Sequence, residues 1–396
     1  MASLADAQKA IVKALAQHTA YSHRASTRVA NEINAMVDET AKELARGVAE
    51  LLDELTNAER QAFAAGKYTT PALKRLKRII DDAGKDISES AAKIWLESAR
   101  EMAGYESGYM YELMQRAVDG LPTATISAAA IVSEARNRPM AGGQLVNELL
   151  SGLGVDTKVA IYSRIRSGIA SGETNTQIVR GLRGTKSLRY KDGLFNKTRR
   201  DVERVVRTTR NHVANVAYEQ TYQELGVKYV FVVATLDGRT SKYCASMDGT
   251  RYKMSEDYPK PPYHPNCRTV IVPSLDDELV GDRPFVRSLK VRGGYRINED
   301  GEREKLPPQF RSVGRMTKRQ REKAGLKIGQ TDAKTTFASW FKNQDAAFQK
   351  EWLGPTRYKL YKQGDYTLDR FVDPTGREYT ISELKQKDAK TFDAIF

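Results

Sequence analysis

Apolar residues recur at spacings of three and four from about residue 4 to residue 225, and then the period changes once. Tyr229-Val-Phe-Val-Val-Ala234 is a β-branched and aromatic run without helical spacing, which reads as a buried strand. Thr269-Val-Ile-Val272, stopped by Pro273, is its expected partner. A long helical stretch followed by two short strands restricts the fold to α+β, predominantly helical. The expected architecture is a helical N-terminal region, a central domain of a helix plus a small β-sheet, and a small α+β C-terminal domain.

The N-terminal stripe is Ile33, Val37, Ala41, Leu44, Val48, Leu51, Leu52 and Leu55, with charged residues between. Pro71 suits the first turn of a second helix carrying Leu73, Leu76, Ile79 and Ile80, and a further helix is expected from about Ser88 to Val118. Gly120-Leu-Pro122 marks a boundary. Shorter helices follow at about 124 to 136, 142 to 152 and 155 to 170, then one capped by Thr174 or Asn175. The clearest helix, about 197 to 225, presents Val202, Val205, Val206, Thr209, Val213, Val216 and Ala217 on one face, with Gly226 placed to end it.

Residues 281–330 hold few large apolar side chains and read as a basic arm or linker. Beyond it, Phe337, Trp340, Phe341, Phe348 and Trp352 line a helix ended by Leu353-Gly-Pro355. Thr380 and Glu383 form a capping box for the last helix. The expected division is therefore 1–118 helical, 119–280 central, 281–330 arm and 331–396 C-terminal.

With 29% charged residues and no apolar run longer than about Val230–Ala234, no membrane-spanning helix is expected. The opening residues, punctuated by Asp6, Lys9 and Lys13, do not read as a secretory leader. Two cysteines exclude a disulfide scaffold and make a reducing compartment the default. The net charge of +14 is concentrated. Arg180–Arg210 has eleven basic residues against three acids, and Val286–Ile328 thirteen against five, each a net of +8. Such blocks either solvate a face or attract the phosphates of a nucleic acid. The DNA-contact candidates are Arg199, Arg200, Arg315, Lys318, Arg319, Arg321 and Lys323.

The loop between the strands holds both cysteines and one of four histidines. Pro261, Pro262 and Pro265 fix φ and remove donors, and Asp237 and Asp248, each followed by glycine, suit tight turns. Three chemistries compete there. Cys244, His264 and Cys267 offer three zinc ligands, but Ser241 and Thr269 stand where a cysteine would complete the set. Cys267 with His264 offers a nucleophile and base without a third orienting group. The third reading, a structural brace with no metal, cofactor or catalytic residue, is the expectation. Its polar network would be Arg207, Asp237, Arg239, His264 and Arg268, with Arg268 forked onto a carboxylate.

Arg207-Thr208, then Asp237, Arg239, Thr240, Cys244, Asp248-Gly249, Pro262, His264-Pro265 and Cys267-Arg268 occur in an order and spacing that resemble the phage Mu F-like head-morphogenesis, or minor head, proteins. The resemblance is strong over about Arg164 to Pro273 and extends more weakly over Phe337 to Leu384. It implies a non-enzymatic, low-copy virion component of the portal vertex inside the capsid, assembled in the host cytoplasm. Its implied partners are the portal protein, major capsid or scaffold proteins and packaged phage DNA, with a part in genome packaging or ejection. Some members carry fused toxin or peptidase domains, but residues 331–396 contain no His and no Cys. An enzyme-bearing virion protein and a non-virion DNA-binding protein are the rival readings.

Overall fold

The computed structural model describes residues 4–140, 142–275, 279–287, 295–297, 303–305, 317–323 and 326–396. In chain order the helical part is α1 (Leu4–Glu54), α2 (Asn57–Ala64), α3 (Pro71–Ala117), α4 (Ala128–Asn137), α5 (Val146–Ala170), α6 (Asn175–Arg183) and α7 (Phe195–Glu224). The N-terminal stripe is buried from Ile33 to Leu55, and it packs α1 against α3 and α7. Thr70 caps α3 by accepting from the Leu73 amide, with Pro71 in the first turn.

Two expected helix breaks are absent. One helix of 47 residues runs through the break expected before Ser88, and α5 runs unbroken across Gly152 and Gly154. Gly154 serves packing rather than termination: a Cβ there would lie 1.9 Å from the Gly84 carbonyl oxygen of α3. Bare backbones at both positions let the two helices touch.

The remainder is β1 (Tyr229–Val233), β2 (Leu236–Asp237), α8 (Lys242–Met247), β3 (Arg251–Lys253), β4 (Val270–Ser274), β5 (Asp282–Arg287), β6 (Tyr295–Ile297), β7 (Arg303–Lys305), α9 (Lys318–Lys323) and β8 (Lys327–Asp332). Five helices follow: α10 (Phe337–Lys342), α11 (Ala346–Leu353), α12 (Pro355–Gln363), α13 (Ile381–Lys387) and α14 (Ala389–Ile395). The expected strands pair antiparallel in a sheet of order β3-β1-β4. Pro273 lies inside β4, opposite Val230, rather than stopping it. It is tolerated because β4 is an edge strand, where a missing N–H need not face a partner.

The reading of 281–330 as an extended arm fails at both ends. β5 and β8 pair antiparallel, and β5 also pairs parallel with β2, which lies within the loop. The expected single aromatic helix near Phe337 is two, because Asp345 accepts from the Phe348 amide and starts α11 afresh.

One core runs without interruption from Ile11 of α1 to Val272 of β4. A second gathers Phe337, Trp340, Phe341, Phe348 and Phe371 with Leu236 and Ala245 of the loop. The loop therefore supplies apolar residues to the C-terminal core while its ends belong to the sheet.

Candidate functional site: the loop between β1 and β4

The loop is fixed first by its own turns. Ser241 caps α8, its Oγ accepting from the Cys244 amide at 3.1 Å. The Cys267 amide bonds the His264 carbonyl at 3.1 Å, and Asn266 between them takes a positive φ of 59°, which asparagine tolerates better than most residues. Gly249 has φ +82°, and a Cβ there would meet the Thr336 side chain at 2.7 Å, so the residue is restricted twice over.

Asp237 is the first anchor. Arg268 forks onto it, Nη1 to Oδ2 at 2.6 Å and Nη2 to Oδ1 at 2.7 Å. Oδ1 also accepts from the Arg239 amide at 3.0 Å and from the Thr240 hydroxyl at 3.3 Å. Burial alone would push the Asp237 carboxyl up, but the Arg268 guanidinium more than offsets this and holds it below the usual carboxylate range. The Arg239 side chain is half exposed, its Nε 3.7 Å from Asp237 Oδ2.

Asp248 is the second anchor, and its carboxylate does more than shape a turn. Arg283 of β5 reaches it at 2.9 and 3.0 Å, while the carboxylate accepts from the amides of Ala234 (2.7 Å) and Phe337 (2.6 Å). The residue that follows β1, the strand β5 and the start of α10 thus converge on one buried side chain.

Other bonds seat the loop on its neighbours. Thr208 of α7 accepts from the Asn266 amide at 3.0 Å, and Asn215 accepts from the Ile271 amide at 3.1 Å. Buried Glu219 of α7 pairs with Lys260 (2.7 Å) and Arg138 (2.5 Å). On the far side, Trp352 Nε1 donates to the Thr240 carbonyl at 3.0 Å.

Residues 160–272, from within α5 through α7, β1 and this loop to the first part of β4, match the family model described as phage Mu protein F like protein. Over these residues the chain is similar to that family. The match covers 113 of the 396 residues and falls on the stretch that carries the loop motif. No curated protein and no solved structure matches the chain.

Within the matched region, the structure brings together some of the expected site residues and separates others. Arg268, Asp237, Arg239 and Thr240 form one group. Arg207 does not join it, because it points along α7 to Glu203 at 3.0 Å. His264 does not join it either: Nδ1 lies 2.9 Å from the Pro265 carbonyl and Nε2 3.0 Å from Cys244 Sγ. Pro262 is buried, and its bond to Pro261 is cis.

The sulfurs of Cys244 and Cys267 are 3.6 Å apart, and the three side chains Cys244, His264 and Cys267 present ligand atoms all within 4.8 Å of one another. Donation to Cys267, together with burial, pushes the Cys244 thiol well above its usual range. Burial would raise Cys267 too, but hydrogen bonds from Cys244 and His264 pull it well below.

Most of the first basic cluster is already engaged. Arg199 pairs with Asp38 and donates to the Tyr190 carbonyl at 2.7 Å, so it is no open phosphate contact. Lys197 and Arg204 share Asp201. Arg200 is exposed on α7, as are Lys186, Arg189 and Lys191 in the preceding loop. Lys318, Arg319, Arg321 and Lys323 lie on α9, with Arg319 exposed, and Arg315 lies outside the described residues.

The sequence reading missed Asn215, Glu219 and Arg283. Asn215 and Glu219 sit inside an obvious helix, where a polar residue reads as solvent-facing. Arg283 sat in a stretch read as linker. The only signal for Asn215 and Glu219 was their place on or beside the apolar stripe of α7.

Proposed function

We propose that the chain is a minor head protein of a phage, a low-copy virion component that sits at the portal vertex and acts in head assembly through structure rather than catalysis. The observation that carries this reading is the family match falling on the braced loop. That loop spends its ionic groups on one another and on three neighbouring elements, as a part that must keep its shape in an assembly would. The long α1–α3 face is the surface we assign to the portal or another head protein. Contact with packaged DNA falls to the exposed basic residues Lys186, Arg189, Lys191, Arg200 and Arg319. Each phosphate they neutralise releases counterions, so the contact weakens as salt rises.

Mass spectrometry of purified particles, with a pull-down on the portal protein, tests the assignment. The chain is expected in particles at a small fraction of the major capsid protein and retained on the portal. Absence from particles contradicts the reading. Gel shifts across a salt series test the DNA contact, for which binding that ignores salt would be the contrary result.

A further inference from the structure

We propose that Cys244, His264 and Cys267 bind a zinc ion, with a water completing a tetrahedral site. The proposal stands whether or not the chain is a head protein. Two thiolates on one zinc, with bonds of about 2.3 Å, lie about 3.7 Å apart. The sulfurs here are 3.6 Å apart, whereas a disulfide needs about 2.05 Å. His264 Nε2, at 3.0 Å from Cys244 Sγ, is closer than the about 3.5 Å expected for two ligands of one ion. The ring therefore withdraws by about half an ångström on binding. It has room, because His264 is only half buried and borders a cavity of about 240 Å³ with Pro262, Thr208 and Arg204. The same cavity gives the ion an entry path.

The histidine is already set as a ligand. Nδ1 faces the Pro265 carbonyl at 2.9 Å and donates to it, so Nε2 is the nitrogen turned toward the sulfurs, and the proton it shares with them is the one a metal ion would displace. This is the outer support that metal-bound histidines usually have. The cysteines are held independently, Cys244 by the Ser241 cap and Cys267 by its turn to His264. Two thiolates and a neutral imidazole balance the charge of a divalent ion in a buried place, and soft sulfur donors favour zinc over magnesium or calcium. The nearby Arg268 is already neutralised by Asp237 and adds no uncompensated charge. The hydroxyls of Ser241 and Thr269 lie within hydrogen-bonding reach of the Cys244 thiol and are the groups we assign to hold the water.

The test uses the full chain, purified without a histidine tag under reducing conditions, stripped with a chelator and titrated with Co²⁺. The expected result is one cobalt per chain with the intense visible bands of tetrahedral geometry and a thiolate-to-cobalt charge-transfer band, all displaced by Zn²⁺. Cys244→Ser and Cys267→Ser should each halve the charge-transfer band and weaken zinc binding by more than about 100-fold, beyond the cost of a change to a supporting residue. Ser241→Cys should strengthen binding and add a third thiolate to the spectrum, a gain that a damaged fold cannot mimic. A weak octahedral cobalt spectrum, retention of no zinc after desalting, or a Cys244–Cys267 disulfide in place of bound metal would each overturn the proposal.

Discussion

Asp237 and Asp248 stand eleven positions apart, each before a glycine, and the chain puts them to different uses. Asp237 holds the loop to itself: its partner Arg268 lies within the same loop, and the arginine side chain keeps 18% of its surface in solvent. Asp248 joins separate parts of the molecule. Arg283 comes from a strand beyond the loop, and both side chains are essentially shut off from water, at 3% and 0%. An aspartate paired locally at the edge of solvent trims a shape. An aspartate paired across elements in the dry interior decides whether those elements stay together, because each partner left alone would be an uncompensated buried charge.

Removing each carboxylate separates the two roles. Asp248→Ala strands Arg283 and the amides of Ala234 and Phe337, and should cost about 3–5 kcal/mol in urea unfolding. Replacing Asp248 and Arg283 together by apolar residues should recover part of that loss, and a double-mutant cycle reads the coupling.

A buried titratable group that is not ion-paired sharpens the contrast. His212 donates to the Ala135 carbonyl at 3.0 Å, and burial pushes its value from 6.5 down to about 4. Below pH 6.5 the unfolded chain gains a proton that the folded chain refuses, so stability should fall as pH drops from 6.5 toward 4. The full effect is about 3 kcal/mol, and a His212→Gln variant should flatten the slope. Asp237→Ala should cost less, about 2 kcal/mol, because water can reach the abandoned Arg268. Thr208→Val, which removes the neutral bonds to the Asn266 amide and the Arg204 carbonyl, should cost about 1 kcal/mol by the same assay.

The parts of the fold readable in the sequence are those set by local periodicity. The stripe of α1, the face of α7, the pairing of β1 with β4 and the Thr380–Glu383 box all follow from side chains within a few turns of one another. Helix continuity was harder, since glycine is ambiguous between ending a helix and letting two helices touch. Gly154 does the second because Gly84 faces it from a residue 70 positions earlier, which no local window contains. The second sheet was hidden for a similar reason. β2 has two residues, and its partner β5 looks like linker until Arg283 is seen entering the protein interior.

In the loop, the Arg268–Asp237 fork could be anticipated from composition and stiffness alone. The place of His264 could not. Three residues from Cys267 in sequence, its Nε2 lies 3.0 Å from the sulfur of Cys244, twenty residues away, a contact that spacing along the chain does not announce. Asp248 carried a turn signal strong enough to conceal its second use.

Hydrogen exchange on the Asp248→Ala chain tests most directly whether this loop is what fastens the C-terminal unit to the sheet. Amides of residues 337–353 and 230–237 should lose protection together, while those of α1 and α3 keep theirs. Unchanged protection at 337–353, or a loss spread evenly over the bundle, would contradict the account.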